Sequence, residues 1–110
     1  MVTVQTQARQ QAIFRAIADP TRRRMLNLLR ARPLTVGELA RNFRSSRPAI
    51  SKHLKLLEST GLVVARQQGT ARICELDARP LRAVDEWLRD YQVFWKQALR
   101  RLKTYVEEDR

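Results

Sequence analysis

The stretch Ser46-Arg47-Pro48-Ala49-Ile50-Ser51-Lys52-His53-Leu54-Lys55-Leu56-Leu57 decides how the rest of the chain is read. At the turn of an α-helix, Ile50, Leu54 and Leu57 fall within one narrow arc, which belongs against a core. Pro48, Ser51, Lys52 and Lys55 project from the opposite side. That outer face is small at its N-terminal end and cationic further along. Small residues permit close approach, and the two lysines can reach bases or phosphates. Arg47 sits at the N-terminal end, where a helix also favours a nearby phosphate through its dipole. Ser46 suits the capping position, with base reading as its other candidate role. Pro48 disfavours a helical Arg47, so the helix starts at one of these two. Gly61 ends it just beyond Ser59.

Working upstream, Arg44-Ser45-Ser46 reads as a tight turn. Before it, Thr35 and Glu38 form the spacing of a capping box, opening a short helix with Leu39, Ala40 and Phe43 on its buried side. Asp19-Pro20 starts an earlier helix that runs to about Arg30, with Met25, Leu26, Leu28 and Leu29 as its apolar stripe. A first helix covers about 5–17. Its Ala12, Ile13, Phe14, Ala16 and Ile17 are too densely apolar for a free surface. Downstream, Leu62–Gln68 and Ala71–Leu76 are strand-like and joined around Gly69-Thr70, a β-hairpin. After Asp77-Ala78-Arg79-Pro80, one long helix covers about 81–108, apolar at 81, 84, 87, 88, 91, 94, 95, 98, 99, 102, 105 and 106.

Helix, tight turn, helix, hairpin is the order of a winged helix-turn-helix, in which the first helix braces a second that enters the major groove. The expected fold is mainly α with a small β-hairpin: about five helices and a two-stranded wing, in the order ααααββα. Candidate DNA-binding residues are Ser46, Arg47, Pro48, Ser51, Lys52, His53 and Lys55 on the recognition helix, with Arg66, Gln68, Thr70 and Arg72 on the wing. An arginine on the wing can enter a minor groove or grip a phosphate. His53 lies at the edge of the buried arc, with DNA and a neighbouring side chain as its two candidate contacts. Arg22-Arg23-Arg24 has the look of a phosphate clamp, although at least one of the three is expected to tie to Asp19 or Glu38. Cys74, on a short strand, reads as a small buried apolar residue.

The composition agrees. The chain has 110 residues, 22 Lys+Arg against 11 Asp+Glu, and a formal charge of +11. Such an excess asks for a polyanion, either nucleic acid or an anionic membrane surface. Between Arg41 and Arg72 seven cations face the single anion Glu58. No uncharged apolar run approaches the ~20 residues of a membrane span, so no membrane insertion is expected. The first residues lack the layout of a signal peptide. One Cys excludes an intrachain disulfide and one His excludes a histidine-rich metal cage; a reducing, cytoplasmic setting is expected. There is no nucleophile–base pair, Gly-rich phosphate loop or metal triad, so the chain does not read as an enzyme. One domain over 1–110 accounts for the whole length.

Trp87, Tyr91, Phe94 and Trp95 form an aromatic stripe on the last helix, continued by Leu99 and Leu102. A helix over 81–108 spans about 42 Å, whereas a sphere with the ~13 Å radius of gyration of a compact monomer is only about 34 Å across. The helix must overhang, and its stripe needs a partner. The companion surface is the first helix, with Ile13, Phe14 and Ile17, so that 5–17 and 81–108 act as dimerisation helices.

Asp19-Pro20-Thr21-Arg22-Arg23-Arg24-Met25-Leu26, Leu34-Thr35-Val36-Gly37-Glu38-Leu39-Ala40, the Ser46–Leu57 stretch and Gly61-Leu62-Val63 together resemble the ArsR family of winged-helix repressors, in matching order and spacing, over about residues 10–108. The resemblance implies a homodimeric bacterial repressor of transcription that binds double-stranded DNA at an imperfect inverted repeat. The family's metal sensors often carry Cys-x-Cys in the third helix, where this chain has Ala40 and Asn42, and they commonly have His in the last helix, where it has none. Carboxylates alone do not suit soft thiophilic metals. The chain thus resembles the metal-site-lacking branch, the SdpR-like autorepressors, with no cofactor. There the signal is a regulatory protein partner or simple self-limitation of expression. A different class of reading is a winged-helix adaptor for protein or RNA. Aromatics on the wing or recognition face would favour RNA, but every Trp and Tyr lies in the last helix.

Overall fold

Side-chain caps set the starts of three of the helices. The computed structural model describes residues 4–109; residues 1–3 and 110 lie outside them. The order is α1 (Val4–Ala18), α2 (Pro20–Ala31), β1 (Leu34–Thr35), α3 (Val36–Ala40), α4 (Arg47–Ser59), β2 (Val63–Gln68), β3 (Ala71–Leu76), a 3-10 turn over Arg79–Leu81 and α5 (Arg82–Glu108). Asp19 accepts from the Arg22 backbone N–H and Pro20 follows it, so α2 starts with one orphan donor satisfied and one absent. Thr35 and Glu38 complete a reciprocal capping box on α3. Ser46 accepts from the Ala49 backbone N–H, which makes it the cap of α4 and lets the helix begin at Arg47.

The end of α4 is a Schellman motif. The Gly61 N–H donates to the Glu58 carbonyl and the Leu62 N–H to the Leu57 carbonyl. Gly61 has φ +82°, a conformation that side chains disfavour, and it turns the chain directly into the wing. At the wing tip, Gln68 pairs with Ala71, leaving a two-residue turn in which Gly69 takes φ +62° while Thr70 stays at negative φ. That is the pattern of a type II′ hairpin turn.

The sheet has three antiparallel strands in the order β1-β3-β2, one more than the expected hairpin. Leu34 pairs with Cys74 and Thr35 with Ile73. The extra strand covers the edge of β3 and ties the start of α3 to the root of the wing. A two-residue strand carries no periodicity, and Thr35 serves at the same time as the cap of α3.

One contiguous core joins these elements. Met25, Leu39, Ile50, Leu57, Leu62, Val63 and Cys74 are fully buried, with Ile13, Ala16, Leu26, Leu29, Leu34 and Leu54 around them. Each large side chain so buried stabilises the fold by about 1.5–3 kcal/mol. Ile50, Leu54 and Leu57 are the expected inner arc of α4. Ile13 requires a correction: placed with the dimerisation residues on sequence, it is only 5% exposed and belongs to the chain's own core with Ala16.

The long helix contributes no fully buried residue. Leu81 and Val84 at its root pack against the core, Trp87 meets Phe14 of α1, and from Phe94 onward the apolar stripe is exposed. The radius of gyration is 18.8 Å and the principal extents are 63 × 40 × 22 Å, well beyond the ~13 Å radius of a compact chain of this length. The overhang expected from helix length is therefore present.

Candidate nucleic-acid interface

The outer face of α4 is built as its spacing dictates. Arg47, Pro48, Lys52 and Lys55 are exposed and Ser51 is half-buried, while Ile50, Leu54 and Leu57 anchor the opposite side. Beside this face, α4, the start of α3 and the wing enclose an open cleft of about 690 Å³. Arg47, Ser51 and Lys55 line one wall; Thr70, Ala71 and Arg72 of the wing line another; Thr35, Val36 and Gly37 form the floor at α3. No aromatic side chain lines it. Arg47, Ser51 and Lys55 of the helix and Thr70 and Arg72 of the wing thus share one groove, although they lie far apart in the chain; Ser46, Pro48, Lys52, His53, Arg66 and Gln68 lie outside its lining.

Both wing arginines already have acidic partners. Arg72 donates to Glu58 across the cleft at 2.6 Å, joining the wing to the last turn of α4. Arg66 lies 3.2 Å from Glu75 on the adjacent strand. Gln67 folds back to donate to the Gly69 carbonyl at 3.3 Å, and Gln68 and Thr70 are exposed at the tip. Net cationic character at the cleft therefore comes chiefly from Arg47 and Lys55, with Lys52 exposed on the same helix outside its lining.

The three-arginine run is engaged within the chain rather than held out as a clamp. Arg22 donates through Nε to the Ala16 carbonyl and through Nη2 to that of Arg15. Arg23 donates to the carbonyls of Ile17 and Ala18. These bonds satisfy the orphan acceptors at the end of α1 and place positive charge at its negative pole. The guanidinium of Arg24 stacks over the Phe43 ring at 4.9 Å. The expected tie between this run and Asp19 is made by the Arg22 backbone N–H, which holds the Asp19 carboxyl below its ordinary range. His53 is turned toward this corner, with Nδ1 3.2 Å from Arg22 Nη1.

The residues present do not fit a thiolate metal site. Asn42 donates its side-chain amide to the Glu38 carbonyl, and Ala40 has no ligand atom. Cys74 is buried on β3, where it pairs with Leu34 of β1, and burial pushes its thiol above the ordinary value. Among the described residues, no three His, Cys, Asp or Glu side chains gather as a metal would require.

On α5, Phe14 of α1 meets Trp87 edge-on at 5.6 Å, and Trp87 lies against Tyr91 at 5.0 Å. Outboard of this small cluster, Phe94, Trp95, Leu99 and Leu102 are more than half exposed. Among the described residues, no helix is long and apolar enough to cross a membrane.

Comparison with known proteins bears directly on this geometry. Residues 19–64, which span α2 to the entry of the wing, match the model of the family described as bacterial regulatory protein, arsR family. The HTH-type transcriptional regulator Rv2034 of Mycobacterium tuberculosis is 45% identical over 86 residues, covering 78% of each chain. The chain belongs to the ArsR family. It is also similar to the transcriptional repressor SdpR of Bacillus subtilis, 33% identical over 79 residues that cover 72% of this chain and 88% of that one. The crystal structure of the ArsR family transcriptional regulator RHA00566 superposes with a TM-score of 0.76 at 38% identity, covering 87% of this chain and 97% of the other. The protein is thus a DNA-binding transcriptional regulator with a winged helix-turn-helix fold, and its relatives are regulators rather than enzymes.

Proposed function

We propose that the protein is a homodimeric repressor that occupies an inverted-repeat operator, in the cytoplasm, without a metal effector. The reading is carried by the outer face of α4, where Arg47, Ser51, Lys52 and Lys55 stand beside a groove closed by the wing. In this arrangement Arg47, Ser51 and Lys52 read base edges, with Pro48 allowing close approach, and Lys55 grips the backbone. Ser46 acts first as the helix cap. Arg66 and Arg72 exchange their carboxylate partners for phosphate, with Gln68 and Thr70 at the wing tip.

The dimer is supported by the uncovered stripe of α5. Phe14, Trp87, Tyr91, Phe94, Trp95, Leu99 and Leu102 are the residues of the proposed interface, with Ile17 at its inner edge. A two-fold pair places two recognition helices about 34 Å apart, one turn of duplex. The repressor sense is supported by likeness to SdpR, whose name states that activity. Metal independence is supported by Ala40 and Asn42 at the third-helix positions. A regulatory protein partner or self-limited expression is the corresponding signal.

The test is selection of duplexes from a random-sequence library, followed by footprinting upstream of the protein's own gene and mass determination of the complex. Enrichment of an inverted repeat bound by two copies is expected. Preference for structured RNA over every duplex would favour an adaptor role and overturn the reading.

A further inference from the structure

Arg22 sits where three helices meet. Its guanidinium donates to two carbonyls at the end of α1, at 2.7 and 3.0 Å, and to Nδ1 of His53 on α4 at 3.2 Å. Its own backbone N–H is held by Asp19 at the start of α2, at 3.0 Å. Asp19 Oδ2 lies 4.0 Å from the same ring nitrogen of His53. Arginine only donates, so Nδ1 must accept, and the neutral ring therefore carries its proton on Nε2. The His53 side chain is only 24% exposed.

We propose that His53 is a positioning residue rather than a reader of DNA: through Nδ1 and Arg22 it braces the recognition helix against the end of α1. The inference deepens the DNA-binding dimer described above and rests on it. In that dimer α1 belongs to the interface side and α4 to the groove side. The brace joins them by a rigid bidentate fork, without an intervening loop. The tilt of α4 relative to the two-fold axis sets whether both recognition helices meet successive grooves in phase. A side chain that holds this tilt therefore influences discrimination without touching a base.

Two substitutions separate the inward from the outward role. In His53→Asn the amide oxygen stands where Nδ1 stood, and nothing replaces Nε2. In His53→Gln a polar atom reaches the Nε2 position and the Nδ1 acceptor is lost. Binding is read by fluorescence anisotropy on a duplex enriched by the wild-type protein and on its scrambled counterpart. His53→Asn is expected to keep the wild-type preference. His53→Gln and His53→Ala are expected to lose about tenfold in preference, the scale of one charge-assisted hydrogen bond. Any other pattern, above all retention by Gln with loss by Asn, overturns the proposal.

A second measurement does not depend on DNA. The chain has a single histidine, so its ¹⁵N resonances report one ring without assignment. The Nε2–H tautomer is expected in the wild type, and a mixed population is expected in Arg22→Lys, which keeps the charge but not the fork. An Nδ1–H ring in the wild type overturns the brace. Failure of the wild-type protein to enrich any duplex would instead strike the DNA-binding reading, and the tautomer would still decide the brace.

Discussion

Arg72 on the wing and Glu58 near the end of the recognition helix are joined at 2.6 Å, so in the free protein the wing is held against α4 by a pair lying on the proposed DNA face. In the proposed complex, phosphate competes with Glu58 for the Arg72 guanidinium. Arg72→Ala should lower affinity for all duplexes alike and flatten the salt dependence by about one unit of slope. Glu58→Gln should raise affinity for all duplexes, and Arg72→Ala should cost more in that background than in the wild type. A double-mutant cycle by anisotropy across a salt series measures both. Additive effects and an unchanged slope would place Arg72 away from phosphate.

Arg47 should behave differently from the wing arginines. It stands at the first turn of α4, exposed and lining the cleft. A bidentate contact to guanine there is worth about 1–3 kcal/mol of discrimination. Arg47→Ala is expected to lose that preference on the selected duplex while binding scrambled DNA nearly as before. Equal losses on both would reject base reading by Arg47.

Substitution on the α5 stripe should separate assembly from folding. Phe94 and Leu102 lie outside the core, at 65% and 59% exposure. Replacing either by Glu places two charges in the proposed two-fold interface. Association should weaken by about a hundredfold or more, given ~1.5–3 kcal/mol for each side chain left unburied. Sedimentation equilibrium should then show single copies whose circular dichroism keeps the helical signature. An unchanged dimer would move the interface elsewhere.

Acid should unfold the protein through its carboxylate caps and pairs. Asp77 is held down to about 2, first by the Arg79 side chain and then by the Arg79 backbone N–H. Asp19 and Glu38 are lowered chiefly by backbone N–H donors, from Arg22 and Thr35 respectively. A carboxyl whose folded value lies below its unfolded one stabilises the fold fully above the unfolded value, and that contribution is lost as pH falls through the folded value. Tm should therefore be level above the ordinary values of 3.8 for Asp and 4.5 for Glu and fall from there toward pH 2. Asp77→Asn should have a lower Tm than wild type at neutral pH and converge with it at the acid end. A constant difference between the two across that window would contradict the assignment.

Much of the architecture is legible because helix ends carry local chemistry. Asp19-Pro20, Thr35 with Glu38, and Gly61 each place a boundary through an interaction made within four residues. The inner arc of α4 is legible for a similar reason, since Ile50, Leu54 and Leu57 repeat at helical spacing. Side-chain partners are harder to read. Arg22 and His53 are 31 positions apart, and Arg72 and Glu58 are 14 apart. Long flexible cations can reach many acceptors, and only the packed fold selects one. Ile13 is hard to place from sequence because α1 is apolar at 12, 13, 14, 16 and 17. That nearly continuous run does not distinguish the face turned to the chain's own core from the face turned outward.

Both tryptophans of the chain, Trp87 and Trp95, stand on α5, and neither belongs to the core of the reading head. Intrinsic fluorescence is consequently an optical reporter of the overhanging helix. If two copies pair as proposed, its emission maximum should shift on dilution. Trp87 also touches Phe14 of α1, so Trp95 is the cleaner reporter of the two.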